Sequence, residues 1–395
     1  MIRLKGKAYE CCMDVLQVLT TAGYEAYIVG GAVRDALLGL PVSDFDIATS
    51  AKPEEVLELF EKVIPTGIKH GTVTVNLQGE SFEITTFRSE LNYADFRHPS
   101  AVSYLASVEG DLSRRDFTIN SMALSVKGDL IDLHGGQEDL KLRVIRTVGE
   151  STERFQEDAL RMLRALRFLS VLDFSLEKKT KESLAKQAHL LRHVAVERLQ
   201  IEFNKLMAGQ AVNSALNQLI QSGVQHYLPG LDLLQSPIEE NTRLTMFESD
   251  IERWAWLATN TTDPISFLKE WRLSNRVVKQ VERLISITNE VKSNGWNNLT
   301  VYDAYPGARP CERLLAVSEQ RNPDYSEIDR ITSELVITTK EMLVVTGADL
   351  ISWEHSQPGP WVGEALRQIE IAVVTEKIKN EKSSIRRWLK QWRTQ

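Results

Sequence analysis

The chain has 395 residues, of which 43% are hydrophobic and 26% charged, and its formal net charge is −7. This length allows two to four domains, the composition is typical of a water-soluble globular protein, and no apolar run reaches the ~20 residues that span a bilayer. The acidic balance excludes a protein that is basic over its whole surface, although local basic faces can still bind nucleic acid.

The opening segment and the cysteines bear on the compartment of the protein. Residues 1–7 lack the apolar core of a secretory signal, so we expect a cytoplasmic protein. Cys11, Cys12 and Cys311 form no CxxC pair, so we expect neither a zinc site nor a disulfide framework.

The first elements are a helix, a strand and a glycine turn that opens a second helix. Apolar positions at helical spacing mark residues 5–22, and residues 24–29 follow as a strand. Gly30 and Gly31 leave the backbone bare, so a triphosphate can approach the amide groups that begin the next helix. Arg34 lies one turn into that helix and can reach a phosphate oxygen. The pattern indicates a phosphate site, although a tight turn alone would look the same.

Two aspartates, Asp44 and Asp46, follow on the next predicted strand. Side chains alternate along a strand, so both carboxylates point to one side while Phe45 and Ile47 point into the core. Adjacent carboxylates repel each other unless a cation lies between them, and Mg²⁺ binds through one or two carboxylates plus substrate phosphates. Together with the glycine turn, the pair predicts a nucleoside triphosphate site in which Asp44 and Asp46 are metal ligands and catalytic residues.

The next segments complete a small mixed sheet. Residues 53–60 are predicted as a helix capped by Ser50, and residues 72–77 and 81–87 as the two strands of a hairpin. Glu83 lies on the second hairpin strand and can face the aspartate pair. It is either a third catalytic carboxylate or an ordinary solvent-facing glutamate, and the sequence leaves both interpretations open.

A predicted mobile loop and a pair of arginines come next. Residues 93–105 have no regular pattern, and His98 within them is interpreted as a loop residue rather than a catalyst. Arg114 and Arg115 then precede a predicted strand over residues 117–123. Arginine binds phosphate through two parallel hydrogen bonds, so a nucleotide contact competes here with a surface salt bridge.

One acid and three arginines lie on a helix predicted over residues 155–172. Asp158 and Arg161 are three residues apart and would share a face, which Arg164 and Arg167 would continue. A carboxylate only accepts hydrogen bonds and a guanidinium only donates them. Such a pair matches the amino donor and ring-nitrogen acceptor of cytosine and adenine and opposes uracil and guanine, with roughly 1–3 kcal/mol of discrimination. An ordinary ion pair within the helix is the alternative.

The remainder of the chain is predicted to be helical almost throughout. Its last segment, residues 376–395, is basic and carries two tryptophans that we expect to pack inward, with a basic face that can hold RNA phosphates. The other helices are predicted at 197–207, 211–221, 244–258, 265–271, 275–291, 313–319, 328–339, 347–351 and 363–375.

These segments resemble the class II tRNA CCA-adding enzymes of bacteria and their poly(A) polymerase relatives. The glycine turn and the aspartate pair resemble the nucleotidyltransferase head of that family. Residues 114–120 match its RRDFTIN segment, residues 157–161 match its EDxxR element, and residues 347–381 resemble the tail of Bacillus-type members. The resemblance covers nearly the whole chain.

The resemblance implies a role for most of these residues. It implies that Asp158 and Arg161 select the incoming nucleotide without a nucleic-acid template. Residues 93–105 resemble the flexible loop that the family needs to change from C to A addition, and CC-adding relatives lack it. The other implied nucleotide contacts are Arg164 and Arg167, to sugar and phosphates, with Gly31, Arg34 and Arg115.

We therefore expect an elongated, multi-domain α+β protein. Its domains would be a nucleotidyltransferase head with a small mixed sheet at 1–148, and an all-α neck, body and tail at 149–210, 211–295 and 296–395. The predicted function is addition of CCA to the 3′ end and acceptor arm of tRNA from CTP and ATP, with two Mg²⁺ ions as cofactors. We expect no membrane contact, and a homodimer stays open.

The sequence is also compatible with several other functions. An A-adding enzyme, a CC-adding enzyme and a poly(A) polymerase share the chemistry, although the loop disfavours the CC-adding one. A non-catalytic RNA-binding protein would not need the intact Asp44 and Asp46. A nucleotidyltransferase for a small molecule such as an antibiotic would not need the long helical body and basic tail.

Overall fold

A computed structural model describes residues 5–42, 44–68, 71–93, 99–104 and 107–392. The chain divides into two compact units, Met1–Ile238 and Glu239–Gln395. The first unit combines a mixed sheet with helices, and the second is helical in its described residues. The expected α+β class is confirmed, whereas the finer division into four domains stays a prediction.

The first unit begins with an α/β layer whose elements follow in chain order. They are α1 (Lys7–Thr21), β1 (Ala26–Val29), α2 (Gly31–Leu38), β2 (Asp46–Thr49), α3 (Pro53–Leu59), β3 (Val63–Gly67), β4 (Thr72–Leu77), β5 (Glu80–Thr86), β6 (Arg88–Tyr93), β7 (Pro99–Tyr104), α4 (Val108–Ser113), β8 (Met122–Ser125), β9 (Leu130–Asp132), α5 (Gly136–Leu142) and β10 (Val144–Ile145).

Seven of these strands form one sheet in the order β3-β4-β5-β2-β1-β8-β9. β1 is antiparallel to both of its neighbours, β2 and β8, and β2 is parallel to β5. In this register Val29, the last residue of β1, faces Asp46, the first residue of β2. The glycine turn that follows β1 therefore lies beside the aspartate that begins β2.

Alternating burial fixes which side chains face the core. Phe45 is 4% exposed and Ile47 1%, whereas Asp44 and Asp46 are exposed. The predicted hairpin is confirmed as β4 and β5, which turn at Gly79 with a φ of 88°. The sheet thus places apolar residues inward and carboxylates outward, as the period-2 pattern predicts.

Three local predictions for this layer are wrong. Lys52, not Ser50, caps α3, and the Lys52 amide donates to Glu55 at 2.6 Å. Part of the predicted loop over residues 93–105 is β7, which pairs with β6, while residues 94–98, including His98, lie outside the described part. The predicted strand over residues 117–123 starts with a 3₁₀ turn at Thr118–Asn120. The Asp116 carboxylate accepts from the Phe117 amide at 2.8 Å and the Phe117 carbonyl accepts from the Asn120 amide at 2.9 Å, so these backbone groups form a local turn instead of a ladder.

The rest of the first unit is helical apart from one short strand. Its elements are α6 (Ser151–Glu157), α7 (Leu160–Leu172), β11 (Ser175–Leu176), α8 (Lys178–Gln187), α9 (Val196–Met207) and α10 (Val212–Gln221).

The helix predicted over residues 155–172 is interrupted at Asp158. This residue has φ −141° and ψ 105°, which is extended backbone between α6 and α7. Its Oδ1 accepts a hydrogen bond from the Leu160 amide at 3.1 Å, as residues at helix starts commonly do. The expectation that Asp158 and Arg161 share a face of one helix is therefore wrong, because Asp158 precedes the helix that carries Arg161.

The second unit contains the remaining helices, and a cluster of buried apolar residues forms part of its core. Trp388 and Trp392 stack at a centroid distance of 6.1 Å and pack against that cluster, as predicted. Within the described residues, no helix has the length and apolar character needed to cross a membrane. The helices are α11 (Asp250–Ala258), α12 (Pro264–Glu270), α13 (Asn275–Asn294), α14 (Asn298–Ala304), α15 (Ala308–Ser318), α16 (Ser326–Glu334), α17 (Gly347–Glu354), α18 (Pro360–Val374) and α19 (Lys382–Trp392).

Candidate functional site

A cleft of about 910 Å³ in the first unit brings the glycine turn, the aspartate edge of the sheet and helices α7 and α9 together. This volume lies within the range of ligand sites, roughly 300–1,000 Å³. Cations dominate its described lining, where Asp46, Asp116 and Asp158 are outnumbered by Arg34, Arg114, Arg115, Arg161, Arg164, Arg167, Arg198 and Lys205. The cleft therefore suits a polyanion.

The glycine turn has backbone requirements that only glycine meets easily. Gly30 has a φ of 70°, and a Cβ built on it would lie 3.0 Å from Nη1 of Arg115. Gly31 is the first residue of α2, so the amides that begin this helix are not covered by a side chain. Free amides at a helix N-terminus attract phosphate oxygens.

Asp46 lies where negative charge accumulates. It is the register partner of Glu83 across the parallel pair β2 and β5. Partial desolvation and the Glu83 carboxylate raise the pKa of Asp46, the Arg115 guanidinium lowers it, and Asp44 raises it again. Two neighbouring carboxylates and one guanidinium thus act on Asp46 together with desolvation, and the net shift of its pKa is upward.

The aspartate edge fits a divalent cation with oxygen ligands. Asp44 and Asp46 are both exposed and both lie outside the core. Within the described ranges, no group of three or more His, Cys, Asp or Glu side chains is arranged to hold a metal ion. A Mg²⁺ site made of two carboxylates and substrate phosphate oxygens needs no such group.

Arg114 and Arg115 combine the two roles that the sequence left as alternatives. Both bind the buried Asp111, at 2.6 Å from Arg114 Nη2 and 3.2 Å from Arg115 Nη2. Both also line the cleft. Nε of Arg115 is buried and has no hydrogen-bond acceptor among the residues that the structure describes. The salt bridges thus hold the two guanidiniums at the cleft wall.

A buried amide connects cations from two different elements. Asn120 accepts a hydrogen bond from Nη1 of Arg34 at 2.7 Å and donates from Nδ2 to Asp116 at 3.2 Å. Asp116 in turn binds Nε and Nη2 of Arg164 at 2.7 and 2.5 Å. Burial opposes ionisation of Asp116, but the charge of Arg164 outweighs it and lowers its pKa to about 2. The chain Arg34–Asn120–Asp116–Arg164 fixes the spacing of two predicted phosphate contacts.

Three guanidiniums surround the ring of Phe168, which is 4% exposed. Their central carbons lie 4.1 Å (Arg167), 5.2 Å (Arg34) and 5.6 Å (Arg164) from the ring centroid. Burial and the charge of Arg164 lower the pKa of Arg167 to about 10. The ring allows like charges to gather in one place, because its π face attracts cations.

The predicted base-selecting residues both line the cleft but have separate partners. Asp158 accepts hydrogen bonds from Arg198 on α9, at 3.4 Å to Oδ1 and 2.8 Å to Oδ2. Arg161 is 8% exposed and binds Glu157 at 2.5 Å and the carbonyl oxygen of Arg114 at 3.1 Å. They are therefore not paired with each other in the way the sequence suggested.

Most predicted site residues converge on this cleft, and their roles stay predictions. Asp44 and Glu83 are not part of its lining but lie beside Asp46 at its edge. The predicted residues that do line it are Gly31, Arg34, Asp46, Arg115, Asp158, Arg161, Arg164 and Arg167.

Sequence reasoning missed Arg198 and Lys205, which line the cleft from α9. Arg198, Glu202 and Lys205 lie at positions i, i+4 and i+7 on one face of α9, next to the stripe of buried Leu199, Phe203 and Leu206. Glu202 itself is 6% exposed and binds Arg167 at 3.2 Å. The signal available in the sequence was an acid between two cations at helical spacing, beside an apolar stripe.

Comparison with protein families covers most of the chain. Residues 26–146 match the poly(A) polymerase head domain, residues 173–234 match the family described as "Probable RNA and SrmB-binding site of polymerase A", and residues 245–389 match tRNA nucleotidyltransferase domain 2.

Individual relatives match over nearly the full length. The CCA-adding enzyme of Bacillus cytotoxicus is 41% identical over 392 residues, which are 98% of this chain and 99% of the relative. The crystal structure of the Bacillus stearothermophilus CCA-adding enzyme in complex with CTP is 38% identical, with a TM-score of 0.90 over 99% of this chain and 98% of that one. A tRNA nucleotidyltransferase solved with a primer tRNA and an incoming ATP analogue is 28% identical, with a TM-score of 0.61 over 81% of this chain and 97% of that one.

Proposed function

The chain belongs to the family of bacterial CCA-adding tRNA nucleotidyltransferases, and on that premise we propose that it adds CCA to the 3′ end of tRNA from CTP and ATP. The observation that carries the proposal is one cleft that combines the glycine turn, the Asp46 edge and the side chains of Asp158 and Arg161. Selection by protein side chains replaces a nucleic-acid template. Pyrophosphate is the second product.

The reaction is the attack of the tRNA 3′-hydroxyl oxygen on the α-phosphorus of the bound nucleotide. A new P–O bond forms, the bond to the β-phosphate oxygen breaks, and the hydroxyl proton is lost. Gly31 and the amides of α2 hold phosphate oxygens, and Arg34 and Arg115 balance the charge of the triphosphate. Arg164 and Arg167 hold its sugar and phosphates beside them. Positioning and electrostatics carry most of such a phosphoryl transfer.

Asp44 and Asp46 are the residues that would hold Mg²⁺. When bound, two such ions activate the attacking hydroxyl and stabilise the charge of the leaving pyrophosphate. We place Glu83 beside them as a further catalytic carboxylate that is not a metal ligand, a role supported by its register opposite Asp46. Arg115, whose charge acts on Asp46, keeps the triphosphate next to this edge.

Base choice rests on Asp158 as acceptor and on Arg161 as donor. Cytosine and adenine each present an amino donor beside a ring-nitrogen acceptor, whereas uracil and guanine present the opposite pattern. Asp158→Ala is expected to relax this choice more than it weakens the triphosphate contacts. Unchanged selectivity against UTP in that variant would refute the pairing model.

One experiment separates the proposed activity from its rivals. The purified protein is incubated with tRNA transcripts that end before CCA, after CC or after CCA, with each nucleotide in turn. We expect two C additions to the first transcript, one A addition to the second and no addition to the third. Repeated A addition would indicate a poly(A) polymerase, and activity on only one of the first two transcripts would indicate a CC-adding or an A-adding enzyme.

Asp46→Ala serves as the negative control, because it removes a proposed metal ligand while leaving the rest of the cleft intact. No transfer by the wild type with any nucleotide would favour a non-catalytic RNA-binding protein. We also place the protein in the cytoplasm, where tRNA, CTP and ATP are available to it.

A further inference from the structure

Asp158 is held in place by an arginine from another helix. Arg198, on the 12-residue helix α9, donates from Nη2 to Oδ2 of Asp158 at 2.8 Å and from Nη1 to Oδ1 at 3.4 Å. We propose that Arg198 is a positioning residue for base selection, which acts by fixing the direction of the Asp158 carboxylate. This inference rests on the proposed function.

The backbone at Asp158 makes an external support necessary. The residue is extended between α6 and α7, so no regular helix holds its side chain. Within the residue's own segment, Oδ1 accepts from the Leu160 amide at 3.1 Å. One such bond leaves the carboxylate free to turn about it. Two donors of one planar guanidinium remove that freedom, because the fork matches both oxygens at once.

The salt bridge between Arg198 and Asp158 lies at the wall of the cleft and not in the protein interior. The side chains of Asp158 and Arg198 are 19% and 24% exposed, and both line the cleft. Oδ1 already accepts from Arg198 and Leu160, whereas Oδ2 accepts only from Arg198 among the hydrogen bonds of the described residues. A carboxylate oxygen has two acceptor positions, so Oδ2 keeps one for the amino group of cytosine or adenine.

Arg161 does not hold Asp158, because other partners take three of its five donor hydrogens and fix its direction. Its Nη1 donates to Glu157 at 2.5 Å and to the Arg154 carbonyl at 3.3 Å, and its Nη2 donates to the Arg114 carbonyl at 3.1 Å. The acceptor half and the donor half of the base-selecting pair are thus positioned by different elements. Loss of Arg198 therefore affects the acceptor half alone.

The test measures kcat and KM of the full-length enzyme for CTP, ATP, UTP and GTP on tRNA transcripts ending before CCA and after CC. For Arg198→Met we expect discrimination against UTP and GTP to fall by roughly tenfold, as for a weakened bidentate base contact. We expect KM for CTP and ATP to rise more than kcat falls. Arg198→Lys should recover part of the discrimination, because an ammonium keeps the charge but cannot span both oxygens.

A matched control uses a second Arg–Asp pair of the same unit. Arg143 binds Asp173 at 2.9 Å, both side chains are more than half exposed, and Arg143 does not line the cleft. Arg143→Met removes such a pair without touching Asp158, so it should leave base discrimination unchanged. Circular dichroism and tRNA binding verify the fold of each variant, and Arg198→Lys decides the question if Arg198→Met does not fold.

A double variant distinguishes positioning from a general structural role. If Arg198 acts through Asp158, Arg198→Met causes no further loss of discrimination in an Asp158→Ala background. Equal losses of kcat/KM for all four nucleotides in Arg198→Met, or a further loss in the double variant, would overturn the inference while leaving the proposed function standing. Absence of CCA addition by the wild type would instead overturn the proposed function, and this inference with it.

Discussion

Asp46 on β2 and Glu83 on β5 are direct partners across two parallel strands, and the Glu83 carboxylate raises the pKa of Asp46. Parallel neighbours present their side chains to the same face, so the two acids cannot turn away from each other without a change of register. The edge of the sheet therefore carries a fixed excess of negative charge. That excess is what makes the edge attractive to a divalent cation.

Removing the Asp46 charge should abolish nucleotide transfer and leave tRNA binding nearly intact. For Asp46→Asn we expect a loss of at least about a hundredfold, because metal charge stabilisation is worth several kcal/mol. Glu83→Gln should lower transfer by less. Labelled CTP incorporation and fluorescence anisotropy with tRNA measure the two quantities. Asp173→Asn, at an exposed aspartate, is the control, and substantial transfer by Asp46→Asn would contradict the assignment.

A side chain at Gly30 should displace Arg115. Gly30 and Gly39 have nearly the same φ, 70° and 71°, but a Cβ at Gly39 meets no atom within 4 Å. Gly39 has a ψ of 19° and lies in the left-handed region, where alanine costs roughly 1–2 kcal/mol, whereas Gly30 has a ψ of −130°, a conformation that is nearly restricted to glycine and costs more. Only Gly30→Ala also crowds Arg115, so its KM for CTP should rise above that of Gly39→Ala. Equal KM values in steady-state assays would show that the contact has no role.

Asn120 is expected to tolerate no change of its hydrogen-bonding pattern. Asn120→Asp keeps the acceptor for Arg34 but replaces the donor to Asp116 by a second carboxylate, and it should destabilise the chain by roughly 1–3 kcal/mol. Asn120 links Arg34 to Asp116 and through it to Arg164, so the variant loosens the positions of both arginines. KM for both CTP and ATP should therefore rise together. Thermal unfolding and nucleotide titrations measure these effects. A rise for one nucleotide alone would indicate a base contact instead.

Asp116 should contribute a measurable acid-dependent part of stability. Its folded-state pKa is about 2, below the ordinary value of 3.8, so its contribution is complete above about pH 4 and disappears as the pH falls through about 2. The shift corresponds to about 2 kcal/mol. The stability gap between the wild type and Asp116→Asn should therefore be constant from pH 7 to pH 5 and shrink from pH 4 to pH 2. Denaturant unfolding across this range measures the gap, with Asp173→Asn as the reference.

The exposed basic residues of α19 should contribute to tRNA affinity through phosphate contacts alone. Arg387 is exposed on this helix, and removing one cation that neutralises a phosphate reduces the salt dependence of log K by roughly 0.7–0.9. Arg387→Glu should weaken binding equally for tRNA transcripts of different sequence while leaving kcat unchanged. Titrations at several salt concentrations measure the slope. Sequence-dependent effects would instead indicate base contacts by this helix.

The sequence predicted the glycine turn, the aspartate edge and the main strands well, because each depends on local alternation and on residues with few backbone options. Asp46 and Ile47 are a direct case, since a period of two decides that one is exposed and the other buried. The prediction from sequence was wrong where a side chain competes with the backbone for a hydrogen bond. Asp158 takes the hydrogen bond of the Leu160 amide and interrupts a pattern that is helical in its apolar residues.

The partners of the site's arginines were beyond sequence reasoning for a different reason. Arg198 and Asp158 are 40 residues apart, and Arg164 and Asp116 are 48 apart. Periodicity reports which face of an element is apolar but not which element lies opposite. Such pairs become visible only when the packing of α9, and of the segment that follows α4, against α7 is known.

The guanidiniums grouped around Phe168 mean that the cationic strength of this cleft depends on a residue with no charge of its own. Arg34 belongs to α2, whereas Arg164 and Arg167 belong to α7. All three guanidiniums contact the uncharged phenyl ring of Phe168. A survey of variants that sorts positions by formal charge would pass over Phe168. Shortening it to leucine would leave the net charge of the protein the same and yet spread its anion-binding groups apart.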